Sequence, residues 1–171
     1  MGYVSRLIGW SLLGCLLACA APAPLPTPKP ASSIAPEQRV AAVRAAAGSD
    51  DKEFAVQPLR DPMVEDLRQT ATRLESLKKY PDAAKALDQA LSITPDDPAV
   101  LQERAEVALF LEQFDNAEAL ARRAYALGAK VGPLCRRHWA AIEQALKARH
   151  ANADEARKQI AACKVATPER F

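Results

Sequence analysis

Cys135, His138, His150 and Cys163 are the residues of this chain whose types and spacing come nearest to chemistry. Cys135 and His138 lie three apart on one helical face, and with His150 and Cys163 they form a four-ligand set of the kind that holds zinc. The paired spacing of a zinc module is missing, because no second two-residue gap separates ligands. The same cysteines can instead bond to each other. Cys135 falls near the start of one expected helix and Cys163 near the end of the next, antiparallel one. Counted from the turn near Ala151, the two differ by four residues in height, roughly 6 Å at 1.5 Å rise per residue, which is at the edge of disulfide reach. Unbonded, they would be two buried thiols. His138 and His150 then read as exposed helix residues.

Nothing else in the sequence resembles a reaction centre. It has no Gly-rich phosphate loop, no nucleophile elbow and no helical His pair flanking a Glu. The expectation is a protein that is not an enzyme and needs no cofactor or metal. Glu103, Glu106, Glu112 and Glu118 alternate with Arg and Lys at helical spacing, the pattern of a solvated face. With 23 basic and 21 acidic residues the formal charge is only +2, so no nucleic-acid footprint is expected.

The elements that would position these residues are helical. Composition is rich in Ala and Leu, with 5% aromatic residues and 6 Gly, as in all-helical chains. Val64 to Asp97 and Pro98 to Val131 match position by position: Leu67 with Leu101, Ala71 with Ala105, Tyr80 with Phe114, Ala83 with Ala117, Ala90 with Ala124, Ile93 with Leu127. Small residues recurring at fixed offsets mark a stacked helical repeat. Asp61–Pro62 and Asp97–Pro98 each start a helix, the carboxylate capping free N–H groups and Pro standing where no N–H is needed. The spacing predicts helices from Pro62 to about Lys79, Pro81 to Ile93, Pro98 to Glu112, and Asp115 to Leu127 with Gly128 as the stop. A drifted third hairpin follows, Leu134 to Arg149 and Ala153 to Val165. Cys135, Trp139, Ile142 and Leu146 share one face of its first helix, with Trp139 expected in the core, and Ala153, Ala156, Ile160 and Cys163 share one face of its second.

This pattern resembles the tetratricopeptide repeat, although Ala129 stands where Pro95 closes the first copy, and Thr70 and Arg104 replace a usual Leu. The resemblance implies an all-α fold: a short right-handed stack of antiparallel helical hairpins, two clear repeats plus a degenerate third. In that family the first helix of each hairpin lines a concave groove that takes an extended peptide or a partner helix. Carried over residue by residue, the groove comprises Glu65, Arg68, Thr72, Glu75 and Ser76, then Ala99, Gln102, Glu106, Leu109 and Phe110. Arg68, Thr72, Glu75, Gln102, Glu106, Leu109 and Phe110 form the expected partner-binding set. The family's Lys- and Asn-based clamp for a C-terminal carboxylate has only Arg68 here to supply positive charge. Phe110 is either an exposed anchor or packed under the neighbouring hairpin.

Residues 1–18 read as an export signal, with Arg6 before an apolar run from Leu7 to Leu17 that is too short to span a bilayer. Leu16-Leu17-Ala18-Cys19 resembles a bacterial lipobox, with Leu17 a departure and Leu12-Leu13-Gly14-Cys15 a competing match. An ordinary cleaved signal and an uncleaved anchor are the alternatives to acylation at Cys19. By the resemblance, processing removes Cys15 and acylation consumes Cys19. Cys135 and Cys163 are then left to each other, in an exported chain where a disulfide persists. Closing that loop is worth roughly 3.5 kcal/mol. Residues 19–36 form a Pro-rich tether reaching on the order of 50 Å at about 3.1 Å per residue. Residues 37–60 are a leader in which a short helix, Pro36 to Ala47, either caps the stack or stays solvated. Residues 61–171 are the repeat domain.

Together these imply a bacterial envelope lipoprotein, membrane-bound through its N-terminal lipid. By analogy with enteric lipoproteins, Ala20 after the acylated Cys implies the outer membrane, facing the periplasm. The main functional expectation is a protein–protein interaction scaffold or assembly adaptor for another envelope protein. The alternative is a factor that binds peptidoglycan or regulates cell-wall enzymes. The scarcity of groove aromatics to stack on sugars weighs against direct polymer binding.

Overall fold

The computed structural model describes residues 34–48 and 61–164. The expected signal peptide, acylated Cys19, the tether up to residue 33, the linker 49–60 and the last seven residues lie outside that description.

Each clear repeat opens as its Asp-Pro pair dictates. Asp61 accepts from the Met63 N–H at 2.8 Å at the start of α2 (Pro62–Ser76). Asp97 accepts from Ala99 at 2.8 Å and Val100 at 3.3 Å at the start of α4 (Pro98–Phe110). Such caps are each worth about 1 kcal/mol. The other elements are α1 (Pro36–Ala45), α3 (Tyr80–Ile93), α5 (Phe114–Leu127), α6 (Pro133–Ala148) and α7 (Asp154–Ala162). Among the described residues every regular element is a helix, and the architecture is an all-α, repeat-like one.

The first helices of the hairpins end earlier than the periodicity suggests, and all three end in the same way. Lys78, Glu112 and His150 adopt left-handed φ values of 56°, 55° and 57°. In each case the next N–H reaches back to a carbonyl five residues earlier: Lys79 to Leu74, Gln113 to Ala108, Ala151 to Leu146. This is the Schellman arrangement that glycine normally serves. Gly128 is required for another reason. A Cβ there would lie 3.0 Å from the Ala124 carbonyl oxygen and 3.3 Å from both His138 Nε2 and Pro98, so any side chain would press on α4, α5 and α6 together.

Packing follows chain order. α2 lies on α3, α4 on α5 and α6 on α7, while α3 meets α4, α5 meets α6, and α4 also touches α6. The alanines that carry the repeat, Ala71, Ala83, Ala90, Ala105, Ala117 and Ala124, are all buried, which lets neighbouring helices approach closely. One apolar cluster joins Val64, Ala71 and Leu87 of the first hairpin to Val100 of α4. A second joins α4, α5, α6 and α7 and includes Val40 and Val43 of α1. Cys135 and Cys163 are bonded, with Cα atoms 5.7 Å apart, close to the separation expected from helix rise. Trp139 is in the core, edge-on to Tyr125 at 4.9 Å. No described helix is long and apolar enough to cross a membrane.

The short leader helix departs from expectation. It neither caps the open end of the stack nor stands in solvent, because α1 packs against α4 and α6, across the concave face.

Candidate functional site

The first helices α2, α4 and α6 line the concave face, and α1 divides it into a covered and an open part. Over α4 and α6, Val40 and Val43 are fully buried against Ala105, Ala108 and Leu109. Arg39 is buried with them; its Nη2 donates to the Ile34 carbonyl at 3.1 Å and its guanidinium lies 5.2 Å from the centre of the Phe114 ring. Arg136 Nε donates to the Ala46 and Ala47 carbonyls, each at 3.1 Å, closing the C-terminal end of α1. Arg44 crosses the groove. Its Nη2 donates to Glu75 at 2.6 Å and its Nε to Glu106 at 2.8 Å. Burial disfavours the Arg44 charge, yet Glu106 and Glu75 more than offset this and raise its pKa.

Below α1 runs a buried polar chain. Glu106 is fully buried and accepts from Arg44, from Arg137 Nε at 3.0 Å and from Gln102 Nε2 at 3.0 Å. That last bond turns the Gln102 carbonyl oxygen toward His138 Nδ1 at 2.7 Å, so Nδ1 carries the proton and donates. His138 Nε2 has no hydrogen-bond partner among the described residues. Burial, and then the charges of Arg137 and Lys130, push the His138 pKa down to about 3, which keeps the imidazole neutral.

The structure therefore separates the expected partner-binding set. Gln102, Glu106 and Leu109 are buried beneath α1 and present no surface. Phe110 is half-buried and stacks on Tyr80 of the preceding hairpin, ring centres 4.3 Å apart and planes 6° from parallel, so it is not a free anchor. Thr72 remains exposed and, with the partly buried Arg68 and Glu75, lines a cavity of about 370 Å³ together with Arg44, Glu103 and Arg137, floored by Ala71 and Leu87. Arg68 is forked between Glu103, with Nε at 2.9 Å, and Glu65 at 2.6 Å. The Glu103 hydrogen bond leads the effects that raise its pKa. Glu75 moves upward, chiefly through burial, with Glu106 and Glu103 adding to it against the pull of Arg44.

One other expectation changes. His138 is buried rather than exposed; His150 is exposed, at its left-handed turn. The four-ligand zinc set does not converge, since the two sulfurs are joined and His138 Nδ1 is committed to Gln102. Sequence reasoning also missed Arg136, Arg137 and Arg44. The first two carried a readable signal, because adding the repeat offset to Gln102 and Glu103 lands on Arg136 and Arg137. The apparent drift of the third hairpin hid that. Chemically, the open cavity offers paired guanidinium and carboxylate groups around an apolar floor, an arrangement suited to gripping a short stretch of polypeptide.

No protein-family profile matches the chain, and no curated protein does. Among solved structures it is similar to the globular C-terminal domain of P. aeruginosa LpoP, with 28% sequence identity and a TM-score of 0.57, over 60% of this chain and 99% of that one.

Proposed function

We propose that this chain is a lipid-anchored envelope protein that regulates a peptidoglycan synthase, binding it through the open end of the concave face. The observation that carries this reading is the likeness to the LpoP domain, which extends over nearly the whole of that domain. It favours the cell-wall alternative over a general assembly scaffold, since the scaffold reading rests on the repeat pattern alone. The lipobox-like stretch ending at Cys19 and the Pro-rich segment after it support acylation, an outer-membrane address and a periplasmic reach. The hairpins belong with the tetratricopeptide repeats, and they act by binding rather than by catalysis.

Crosslinking in cells from a photoreactive residue at Thr72, followed by mass spectrometry, tests the proposal. Thr72 is solvent-exposed, and among the described residues its hydroxyl bonds the Arg68 carbonyl of its own helix, at 3.1 Å, so the replacement leaves the fold in place. The expected result is one dominant adduct with a peptidoglycan synthase. An adduct with a secretion or pilus assembly protein would restore the scaffold reading. Recovery of glycan fragments alone would mean that the domain binds the polymer itself.

A further inference from the structure

We infer that the α4–α6 floor of the concave face is a receptor for a short helix, with α1 as its resident occupant. A partner helix carrying two β-branched residues three apart, followed directly by arginine, fits the same seat. The observations concern how α1 is held. It has ten residues, too few for a stable helix in water, so its conformation depends on the seat. Its fully buried side chains are Val40, Val43 and Arg39, the last lying over the Phe114 ring. It is tied across the groove by Arg44, held by Glu75 and Glu106, and to the first hairpin by Glu37, which accepts from Lys78 and Tyr80. The arrangement is a helix laid into a groove by spaced anchors, the mode by which separate chains recognise one another.

The seat keeps its internal organisation without its guest. Were α1 to leave, Glu106 would still accept from Arg137 and Gln102, Gln102 would still hold His138, and Phe110 would still stack on Tyr80. What would be uncovered is an apolar patch around Ala108 and Leu109 beside two carboxylates, Glu75 and Glu106. That combination selects an apolar stripe ending in a guanidinium, which is the chemistry of Val40, Val43 and Arg44. The inference holds whichever envelope protein the chain meets, because it concerns how the groove is filled and not the identity of the guest.

The test uses the full chain and a fluorescent synthetic peptide of residues 34–48 as the probe. Val43→Asp places a charge in the apolar seat and releases α1. The peptide is expected to bind this variant saturably and at least tenfold more tightly than it binds the unaltered chain, and the peptide carrying Arg44→Ala is expected to lose at least tenfold. Native-state hydrogen exchange of the unaltered chain supplies a second reading: amides of α1 should exchange well ahead of those of α4. Peptide that binds neither chain would overturn the inference. So would α1 amides protected as strongly as those of α4, or a Val43→Asp chain that has lost its helical melting transition, because either would make α1 an inseparable part of the core.

Discussion

The two ends of the concave face are built from equivalent positions of successive repeats, yet they differ in every physical respect. Over α4 and α6 the face is covered: Leu109 packs on Val40 and Val43, Glu106 is satisfied three times, and a disulfide closes the hairpin behind them. Over α2 the face is open, and Thr72 points into a cavity with charged walls. Residues at the same repeat position, Thr72 and Glu106, therefore have opposite duties. A repeat fixes where a side chain points, while the neighbour laid over it decides whether that side chain stabilises the fold or meets a partner.

That contrast can be broken from the covered side first. Cys163→Ser, or reduction of the bond, is expected to cost about 3 kcal/mol in urea unfolding while leaving Thr72 crosslinking intact at temperatures where the chain stays folded. Glu106→Ala strands Arg137 and Arg44 beside a void; because both keep part of their hydration, the expected loss is about 2–3 kcal/mol, read as a lowered unfolding midpoint. A third, smaller effect depends on pH. The His138 pKa is about 3 in the folded chain and about 6.5 when unfolded, so the unfolded state takes up the proton first. Its contribution is full above pH 6.5 and drains away as pH falls toward 3, on the order of 1–2 kcal/mol between pH 7 and 5. Glu75, with its raised pKa, works in the opposite direction. His138→Gln keeps a donor for Gln102 and removes the titration, so thermal melts at pH 7 and 5 should lie closer together than in the unaltered chain. Smallest in stability is Thr72→Arg at the open end, within about 0.5 kcal/mol. It should nonetheless abolish partner capture by filling the cavity, and retained capture would move the binding surface elsewhere.

Much of this architecture was legible in particular residues. The Asp-Pro pairs set the starts of α2 and α4, and the recurring alanines marked the helix contacts. Helix rise alone brought Cys135 and Cys163 within bonding range. The ends of α2 and α4 were misplaced because the left-handed positions are filled by Lys78 and Glu112, which carry no stop signal of the kind Gly gives. Three of the seven expected binding residues went under cover because α1 writes a weak pattern: two valines and a buried arginine do not announce a docked helix. Glu106 and His138 were read as solvent-facing for a related reason. A charge or imidazole that is buried with all its partners looks, in one dimension, the same as one in water.

Chain order gives the leader helix a mechanical meaning. The polypeptide enters the folded unit at residue 34 and passes through α1 before it reaches the hairpins. A pull applied upstream therefore loads Glu37, Arg39, Val40, Val43 and the Arg44 ion pairs before contacts between the hairpins are strained. One ten-residue helix held by side-chain contacts yields sooner than a disulfide-closed stack, so tension between an anchored N-terminus and a gripped partner would peel α1 away first. Stretching the molecule and emptying the groove would then be one event, with α1 acting as a fuse.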